Sequence, residues 1–460
     1  MRWDMFNNPF VADPTFTADV FGLPISGSVA TPPWPGWFWP TVDDSINFRW
    51  NPSAPSASEK VELAFGIKGF TDAVSNKYGV SGQSYRAVCT SEGQCPNGER
   101  CARRAGTPPG TSGRCIPAWW GIDHGRAAAS ILEPMPLKAV QRGGQTLEVP
   151  DIDALLALIY AGSHTYKLVG QRSNAESIAT DLLGRPLDLI DRDIDAGAFH
   201  ILVANRVGLR NESVVVDRMM NHEVWNQPVL SFQVANAVDG QLPEITESMA
   251  IRATGLDLAT QIILGPTPLT IGERRSGTLV APIDGDYIVG TLGTGDVDLY
   301  VKIGEPATDQ NADRKGYGGN SFERCRLQAT AGSMIHWTVV GYARSSIFQV
   351  WIAVPTGVPI RYTSNPDASR FFLVDMDVVW LTEAHPTAAS RSLNDYTRTD
   401  KLRYILETDS AGTIIGGEWI GDSLRHHPDF VWWPLPLPQN TSFAGLTYTV
   451  IRALLLESIA

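Results

Sequence analysis

Several features are scarce or missing in this chain of 460 residues. It has no run of Lys and Arg and no basic patch, and its net charge is −12, which argues against a nucleic-acid partner. No apolar run reaches the length of about 18 residues that a membrane-spanning helix needs. Residues 1–17 have neither the basic nor the apolar part of a signal peptide. We therefore expect no nucleic-acid partner and no transmembrane segment, and the export signal of a secreted protein would lie outside this sequence.

Cysteine is also scarce, and four of the five cysteines fall in one segment: Cys89, Cys95, Cys101 and Cys115. Residues 89–115 are rich in Gly, Pro and polar side chains and cannot form a core of their own. This pattern predicts a small loop held by two disulfides, whose pairing the sequence does not determine. Zinc is the alternative, but the segment has no Cys-x-x-Cys pair and no His. Disulfides indicate an oxidising, extracellular environment, and Cys325 is left over.

The composition otherwise is that of a globular protein, with 42 Gly, 31 Pro and 14 Trp, and the length predicts two or three domains. Residues 1–30 form an extended lead-in, and a mixed core domain follows at 31–255. Short β-branched runs separated by Gly and Asp turns predict a β-sandwich at 266–355. The earlier character returns at 361–460. The sandwich is therefore predicted to be inserted into the core domain.

The stretch 119–134 is predicted to be a turn that leads into a helix. Asp123 stands at the N-cap position before an Ala-rich run, and Pro134 ends the helix. In the simpler interpretation Asp123 only caps the helix. In the other, it is a reactive anion at a positive helix end beneath aromatic side chains. Arg126, three residues on, is placed to pair with it.

Two further residues complete a possible catalytic set. Residues 199–205 and 213–218 are predicted to be two strands of one antiparallel hairpin, with His200 near the start of the first and Asp217 near the end of the second. Those ends are neighbours, so the two side chains are expected to meet. A residue at a helix start together with His and Asp is the layout of a nucleophile–His–Asp triad. The alternative is a structural His and a turn Asp.

The segment Val-Trp-Asn-Gln-Pro-Val at 224–229 is the most specific motif in the sequence. It closely resembles the elicitor peptide of the transglutaminase elicitor family, which occurs in oomycetes and some bacteria. Further segments that are similar to signatures of this family lie at 33–35, 39–40, 44–47, 119–134, 198–200, 216–218, 415–419 and 427–430. The resemblance covers most of the chain outside the sandwich.

This resemblance implies an α+β, transglutaminase- or papain-like core that forms Gln–Lys isopeptide bonds by acyl transfer. His200 would be the general base and Asp217 the residue that orients it, while Asp123 stands where the family has its cysteine nucleophile. The residues expected to line or support the cleft are Trp119, Trp120, His124, Arg126, Trp225 and Asn226.

The replacement of cysteine by Asp123 leaves three functions open. A carboxylate is a poor nucleophile towards an amide, so the first is a secreted, diverged or inactive member that binds proteins through exposed Gln or Lys. The second is a hydrolase in which Asp123, His200 and Asp217 activate water. The third is a surface-binding protein whose sandwich attaches to cell-surface polymers. In each case we expect a monomer.

The predicted sandwich resembles a pre-peptidase C-terminal domain at 295–301 and 322–325. Asp296 and Asp298 in the first of these segments are candidate calcium ligands. Their alternative roles are those of turn and strand-end residues. No other cofactor is expected.

Overall fold

We analysed a computed structural model of the chain. It describes residues 3–108, 110–163, 165–172, 186, 188–218, 222–255, 258–356, 362, 364–424 and 426–460. The α-helices in these ranges are α1 (Pro9–Ala12), α2 (Ala57–Phe65), α3 (Phe70–Tyr78), α4 (Asp123–Leu132), α5 (Val149–Ala161), α6 (Ala196–Val203), α7 (Glu247–Thr254), α8 (Leu393–Tyr396) and α9 (Tyr448–Ile459). None of the described helices is long and apolar enough to cross a bilayer.

The strands, in chain order, are β1 (Ser26–Ser28), β2 (Val88–Cys89), β3 (Glu99–Ala102), β4 (Gly113–Pro117), β5 (Val140–Arg142), β6 (Gln145–Leu147), β7 (Tyr166–Gly170), β8 (Val215–Asp217), β9 (Asn226–Val234), β10 (Glu244–Ile245), β11 (Leu258–Leu269), β12 (Arg274–Val280), β13 (Gly285–Thr294), β14 (Val297–Ile303), β15 (Arg314–Gly316), β16 (Glu323–Ala329), β17 (Met334–Gly341), β18 (Ser346–Pro355), β19 (Arg370–Leu381), β20 (Thr397–Thr408), β21 (Ile414–Trp419), β22 (Phe430–Pro434), β23 (Ser442–Phe443) and β24 (Leu446–Thr447).

An antiparallel sheet with the order β21-β20-β19-β9-β8-β22-β7 divides the core domain into two layers. The apolar core on one face contains α6, and the core on the other contains α4 and α5. Alternation along β8 shows the division, because Val214 and Val216 belong to the first core and Val215 to the second. Asp217 therefore points to the same face as Val215, towards α4.

The inserted domain is a β-sandwich, as the sequence predicted. One sheet has the order β11-β18-β13-β16 and the other β12-β17-β14-β15. Apolar side chains of both sheets form one core, which includes Cys325. The predicted fold class, an α+β core with an inserted all-β domain, is confirmed.

Two disulfides hold the cysteine-rich segment, which confirms the disulfide prediction. Cys89 bonds to Cys101 and Cys95 bonds to Cys115. The three short strands of this segment pair in the order β2-β4-β3. The four sulfur atoms are therefore the main interior of this segment, in place of an apolar core.

The predicted strand and hairpin around His200 are wrong. Residues 196–203 are the helix α6, capped by the carboxylate of Asp195, which accepts hydrogen bonds from the N–H groups of Gly197 and Ala198. The helix is buried on all sides and is apolar around its whole circumference, so it lacks the 3.6-residue periodicity by which a helix is recognised. The strand that carries Asp217 pairs instead with β9 and β22.

The start of α4 packs closely on α5 at Gly125. Replacing this glycine tests how close the packing is. A Cβ atom there would lie 2.1 Å from the carbonyl oxygen of Ala157. We expect Gly125→Ala to lower the free energy of unfolding by about 1–3 kcal/mol through overpacking, measured by urea denaturation with tryptophan fluorescence. The control is Gly93→Ala, because nothing lies within 4 Å of a Cβ at Gly93. Equal denaturation midpoints for the two variants would contradict the predicted clash.

Candidate active site

Asp123 begins α4 at the end of a braced turn. The N–H of Ile122 donates to the carbonyl of Phe38, and the N–H of Thr41 donates to the carbonyl of Trp120, both at 2.8 Å. The N-cap is Ile122, so the prediction that Asp123 is the N-cap is wrong by one position. Its carboxylate bonds to a different part of the chain.

That partner is Asn226, at the start of β9. Oδ2 of Asp123 accepts hydrogen bonds from the backbone N of Asn226 at 2.8 Å and from its Nδ2 at 3.0 Å. Nε1 of Trp432 donates to Oδ1 of Asn226 at 2.8 Å, which fixes the orientation of the amide. Asn226 is also the register partner of Asp217 in the β8–β9 pair. The structure therefore brings Asp123, Asn226 and Asp217 into one group.

The surroundings of Asp123 favour its ionised form. The side chain is 6% exposed, and burial by itself would raise its pKa. His124, whose Nδ1 lies 3.8 Å from Oδ1, and the two hydrogen bonds from Asn226 outweigh burial, so the pKa of Asp123 is lowered. Charge-assisted hydrogen bonds from N–H groups act in this direction.

Arg126 does not form the predicted pair with Asp123. Its Nη2 lies 3.3 Å from Oε1 of Glu383 and donates to the carbonyl of Asn226 at 3.3 Å. Gln227 donates from Nε2 to the same Glu383 oxygen at 2.6 Å. Arg126 is 1% exposed, so Glu383 supplies the counter-charge that a buried guanidinium requires.

Asp217 has the opposite ionisation tendency to Asp123. Its Oδ1 accepts a hydrogen bond from the N–H of Trp225 at 3.1 Å, and its Oδ2 has no partner among the described residues. Burial raises the pKa of Asp217 well above its ordinary value, and the negative charge of Asp123 contributes in the same direction. The pKa values of the two neighbouring carboxyl groups are therefore shifted in opposite directions.

Two more buried carboxyl groups, those of Asp429 and Asp193, lie near Asp217. Burial, Asp193 and Asp217 raise the pKa of Asp429, whose N–H donates to the carbonyl of Asp217 at 3.2 Å. Oδ2 of Asp193 lies 3.2 Å from Nε2 of His427, and the other ring nitrogen of His427 lies 2.6 Å from the carbonyl of Ser423. A proton is therefore held between the Asp193 and His427 side chains.

His200 lies on the other face of the sheet. Its Nδ1 is 2.8 Å from the hydroxyl of Tyr404, and its helix neighbours Phe199 and Ile201 belong to the core opposite α4. Burial lowers the pKa of His200 to about 4, so the ring is neutral. The expected contact between His200 and Asp217 is wrong, because the sheet separates the two side chains.

Aromatic side chains lie directly before Asp123 and directly before Asn226 in the chain. The ring of Trp119 lies 6.1 Å from that of Trp120 and 6.2 Å from that of His222. The ring of Trp225 packs against Phe38 at 5.6 Å. The three tryptophans are partly exposed, so each presents apolar surface to solvent, and their role in lining a cleft stays a prediction.

The structure adds residues that the sequence argument missed: Glu383, Trp432, Asp193, Asp429 and His427. His427 and Asp429 lie in a segment already noted for its resemblance to a family signature, and that signal pointed to them. Glu383 follows the end of β19 without any motif, so no signal in the sequence identified it.

The acidic residues of the sandwich do not form a metal cluster. The hydroxyl of Tyr300 donates to Oδ2 of Asp298 at 3.0 Å, and burial together with Asp298 raises the pKa of Asp296 to about 6. Among the described residues, the one group of three or more side chains close enough to share a metal ion is Cys89, Cys95 and Cys115, and all three are in disulfides. Calcium binding by Asp296 and Asp298 stays a prediction.

The raised pKa of Asp217 makes stability depend on pH. The pKa of Asp217 is higher in the folded than in the unfolded state, so folding takes up a proton when the pH lies between the two values. The free energy of unfolding therefore falls by about 1.4 kcal/mol per pH unit as pH rises from the unfolded pKa of about 3.9 towards the folded pKa. We expect Asp217→Asn to gain stability over the wild type as pH rises from about 5 to about 8, measured by urea denaturation. The exposed Asp239→Asn variant is the control, and its stability difference from wild type should stay constant over this pH range. Parallel stability curves for Asp217→Asn and wild type would show that the pKa of Asp217 is not raised.

Comparisons with known proteins identify the family of the core domain. A family model described as "Transglutaminase elicitor" matches residues 10–250 and 359–460, which leaves the sandwich outside the match. The crystal structure of the GP42 transglutaminase from Phytophthora sojae is similar to this chain with a TM-score of 0.64 and 27% identity, and the match covers 98% of both chains.

Other similarities are short. A zinc metalloprotease of Helicobacter pylori is 37% identical over 77 residues, 17% of this chain and 27% of that protein. A hemagglutinin/proteinase of Vibrio cholerae is 37% identical over 77 residues, 12% of its own length. The chain thus spans about a quarter or less of these curated relatives, whereas the match to the transglutaminase covers 98% of the chain. Because the family model matches most of this chain, the chain belongs to the transglutaminase elicitor family.

Proposed function

We propose that this protein acts outside the cell as a binding protein for segments of other proteins that carry exposed Gln or Lys, and that it has lost thiol-based acyl transfer. The observation that carries the proposal is the state of Asp123. By the sequence resemblance it would occupy the position of the family nucleophile, and its carboxylate, whose pKa is lowered, accepts hydrogen bonds at Oδ2 from two N–H groups of Asn226.

The chemistry of this group argues against family-type catalysis. Attack by a carboxylate on an amide would give a mixed anhydride, which water hydrolyses before an amine can resolve it as it resolves a thioester. The location of His200 supports the same conclusion, since a ring on the far face of the sheet cannot accept a proton from position 123.

The surface around Asp123 supports binding. Trp119, Trp120 and Trp225 are partly exposed beside a buried charge, and large aromatic side chains dominate the energetics of protein interfaces. The guanidinium of Arg172 lies 5.9 Å from the ring of Trp119. A peptide segment can therefore pack on the rings and present a polar side chain to the site.

The two disulfides support an extracellular location. Disulfides persist in oxidising environments and stabilise small segments that lack an apolar core. Both pairs lie in 89–115, directly before the turn to Asp123. The partners we propose are accordingly extracellular proteins.

Binding is testable with β-casein, a protein with accessible Gln and Lys side chains. We expect Trp119→Ala to weaken binding about thirtyfold, the loss typical of an interface tryptophan, measured by surface plasmon resonance. The control is Tyr317→Ala, which removes a 68% exposed aromatic ring on the sandwich and should leave affinity unchanged. Loss of binding only in the Tyr317 variant would favour recognition by the sandwich.

The loss of acyl transfer is tested with the same protein. We expect wild-type protein to incorporate no monodansylcadaverine into β-casein, because no thiol stands at position 123. The label is measured by gel fluorescence. Incorporation of monodansylcadaverine by the wild-type protein that disappears in the Asp123→Asn variant would overturn the proposal.

A second candidate function is hydrolysis of an amide or ester, and the separation of the Asp123 and Asp217 pKa values favours it. An ionised carboxylate can accept a proton from water, and a protonated neighbour can donate one to a leaving group. In this candidate His200 takes no part, since it lies on the other face.

If the protein is a hydrolase, Asp123→Asn should lower kcat/KM by about 10²–10⁴, the range for loss of a general base. Asp217→Asn should remove the limb of the pH–rate profile that requires a protonated acid. The measurement is turnover of a panel of amide and ester substrates, with Asp239→Asn as control. Absence of wild-type turnover on the whole panel would exclude this candidate.

A further inference from the structure

One edge strand of the inserted β-sandwich lacks the charges that the other edge strands carry. The outermost strands are β11 and β16 in one sheet and β12 and β15 in the other. Such strands expose unpaired backbone N–H and C=O groups, and charged side chains usually keep a further strand from adding to them. β12, β15 and β16 each contain at least two charged residues, whereas β11 has none in 12 residues.

The two halves of β11 differ in their remaining protection. The second half contains Pro266 and Pro268, and its register with β18 shifts after Ile262 and again after Leu264. Proline removes a backbone donor and a register shift distorts the edge, so both discourage the addition of a strand. Residues 258–262 contain no proline and pair with β18 without a shift. This first half is therefore a regular edge without protection.

The segment 258–262 is also open to solvent. The side chains of Ala259, Thr260 and Gln261 are exposed, and that of Ile262 is 57% exposed. Within the part of the chain that the structure describes, β18 is the only strand that pairs with β11. Every second residue of an edge strand points its backbone N–H and C=O away from its neighbour in the sheet. These groups of 258–262 can accept another strand.

The distribution of charge favours a second copy of this chain as the partner. Residues 258–355, from β11 to β18, contain nine acidic and eight basic side chains, whereas the whole chain has a net charge of −12. The excess of negative charge therefore lies outside the sandwich, where it repels a second copy. The uncharged edge of a nearly neutral domain brings no like charges together, and it offers no charge that would attract an acidic or a basic partner.

We propose that residues 258–262 pair antiparallel with the same residues of a second copy. The sheet β11-β18-β13-β16 would then continue across a two-fold axis into the partner subunit. A two-fold contact of this kind is closed and does not lead to filaments. The paired segments are short, so the interface is smaller than the standard one of about 1,600 Å² and the dimer is weak.

The side chains of the segment suit this self-pairing. Leu258, Thr260 and Ile262 lie on one face of β11, because side chains alternate along a strand. With the two-fold axis at Thr260, Leu258 lies opposite the partner's Ile262, and the two threonines lie opposite each other. Apolar pairs and Thr–Thr pairs across strands are both stabilising. The dimer differs from the monomer that we expect from the sequence, and it does not depend on the proposed function.

The test is sedimentation velocity of the full-length protein between about 1 μM and about 1 mM, the range of weak dimers. We expect monomer at the lowest concentration and dimer at the highest. Ile262→Lys should weaken dimerisation at least about tenfold, because it places an ammonium group of each copy at the shared edge. Gln261→Lys is the second variant if the first does not fold. The control is Ile271→Lys, which replaces a 61% exposed isoleucine beyond the end of β11 and should leave dimerisation unchanged.

Hydrogen exchange measured by mass spectrometry locates the contact. We expect the backbone amides of residues 258–262 to exchange more slowly in the dimer than in the monomer, and this difference should disappear in Ile262→Lys. A monomer at every concentration would overturn the proposal and leave the edge to a different protein. Equal dissociation constants for the Ile262 and Ile271 variants, or a dimer without slower exchange at 258–262, would also overturn it. Casein binding by Ile262→Lys at wild-type strength would leave the proposed function intact whatever the outcome here.

Discussion

The hydrogen bonds between Asp123 and Asn226 connect the parts of the site that are far apart in the chain. They join the first turn of α4 to the start of β9, more than a hundred residues later. Asn226 is in turn held by Trp432 and paired in register with Asp217. A thiol at position 123 would accept hydrogen bonds only weakly. The carboxylate therefore anchors the first turn of α4 to β9.

The central sheet determines which side chains share an environment. Val215 and Val216 are neighbours in sequence but lie in different cores, and the same alternation separates Asp217 from His200. Several carboxyl groups are buried close together on the Asp217 face. Burial and the charges of neighbouring carboxylates raise the pKa values of Asp217 and Asp429, whereas the pKa of Asp123 is lowered. The site thus has the electrostatics of an acid–base pair without the imidazole that a triad requires.

Sequence reasoning succeeded where the signal is local. Turn residues at short intervals predicted the sandwich, and the clustered cysteines predicted disulfides, because each signal depends on residues close together in the chain. The predicted strand at His200 was wrong, because a helix that is apolar on every side has no periodicity that distinguishes it from a strand.

The sequence by itself determined the family, the inserted all-β domain and the absence of a cysteine at position 123, because motifs and residue identities are properties of the chain alone. The tertiary structure decided the partners. It paired Arg126 with Glu383 instead of Asp123, and it put His200 behind the sheet. Such contacts join residues up to 257 positions apart, and which of them form depends on strand order and on the face of the sheet, which no local pattern encodes.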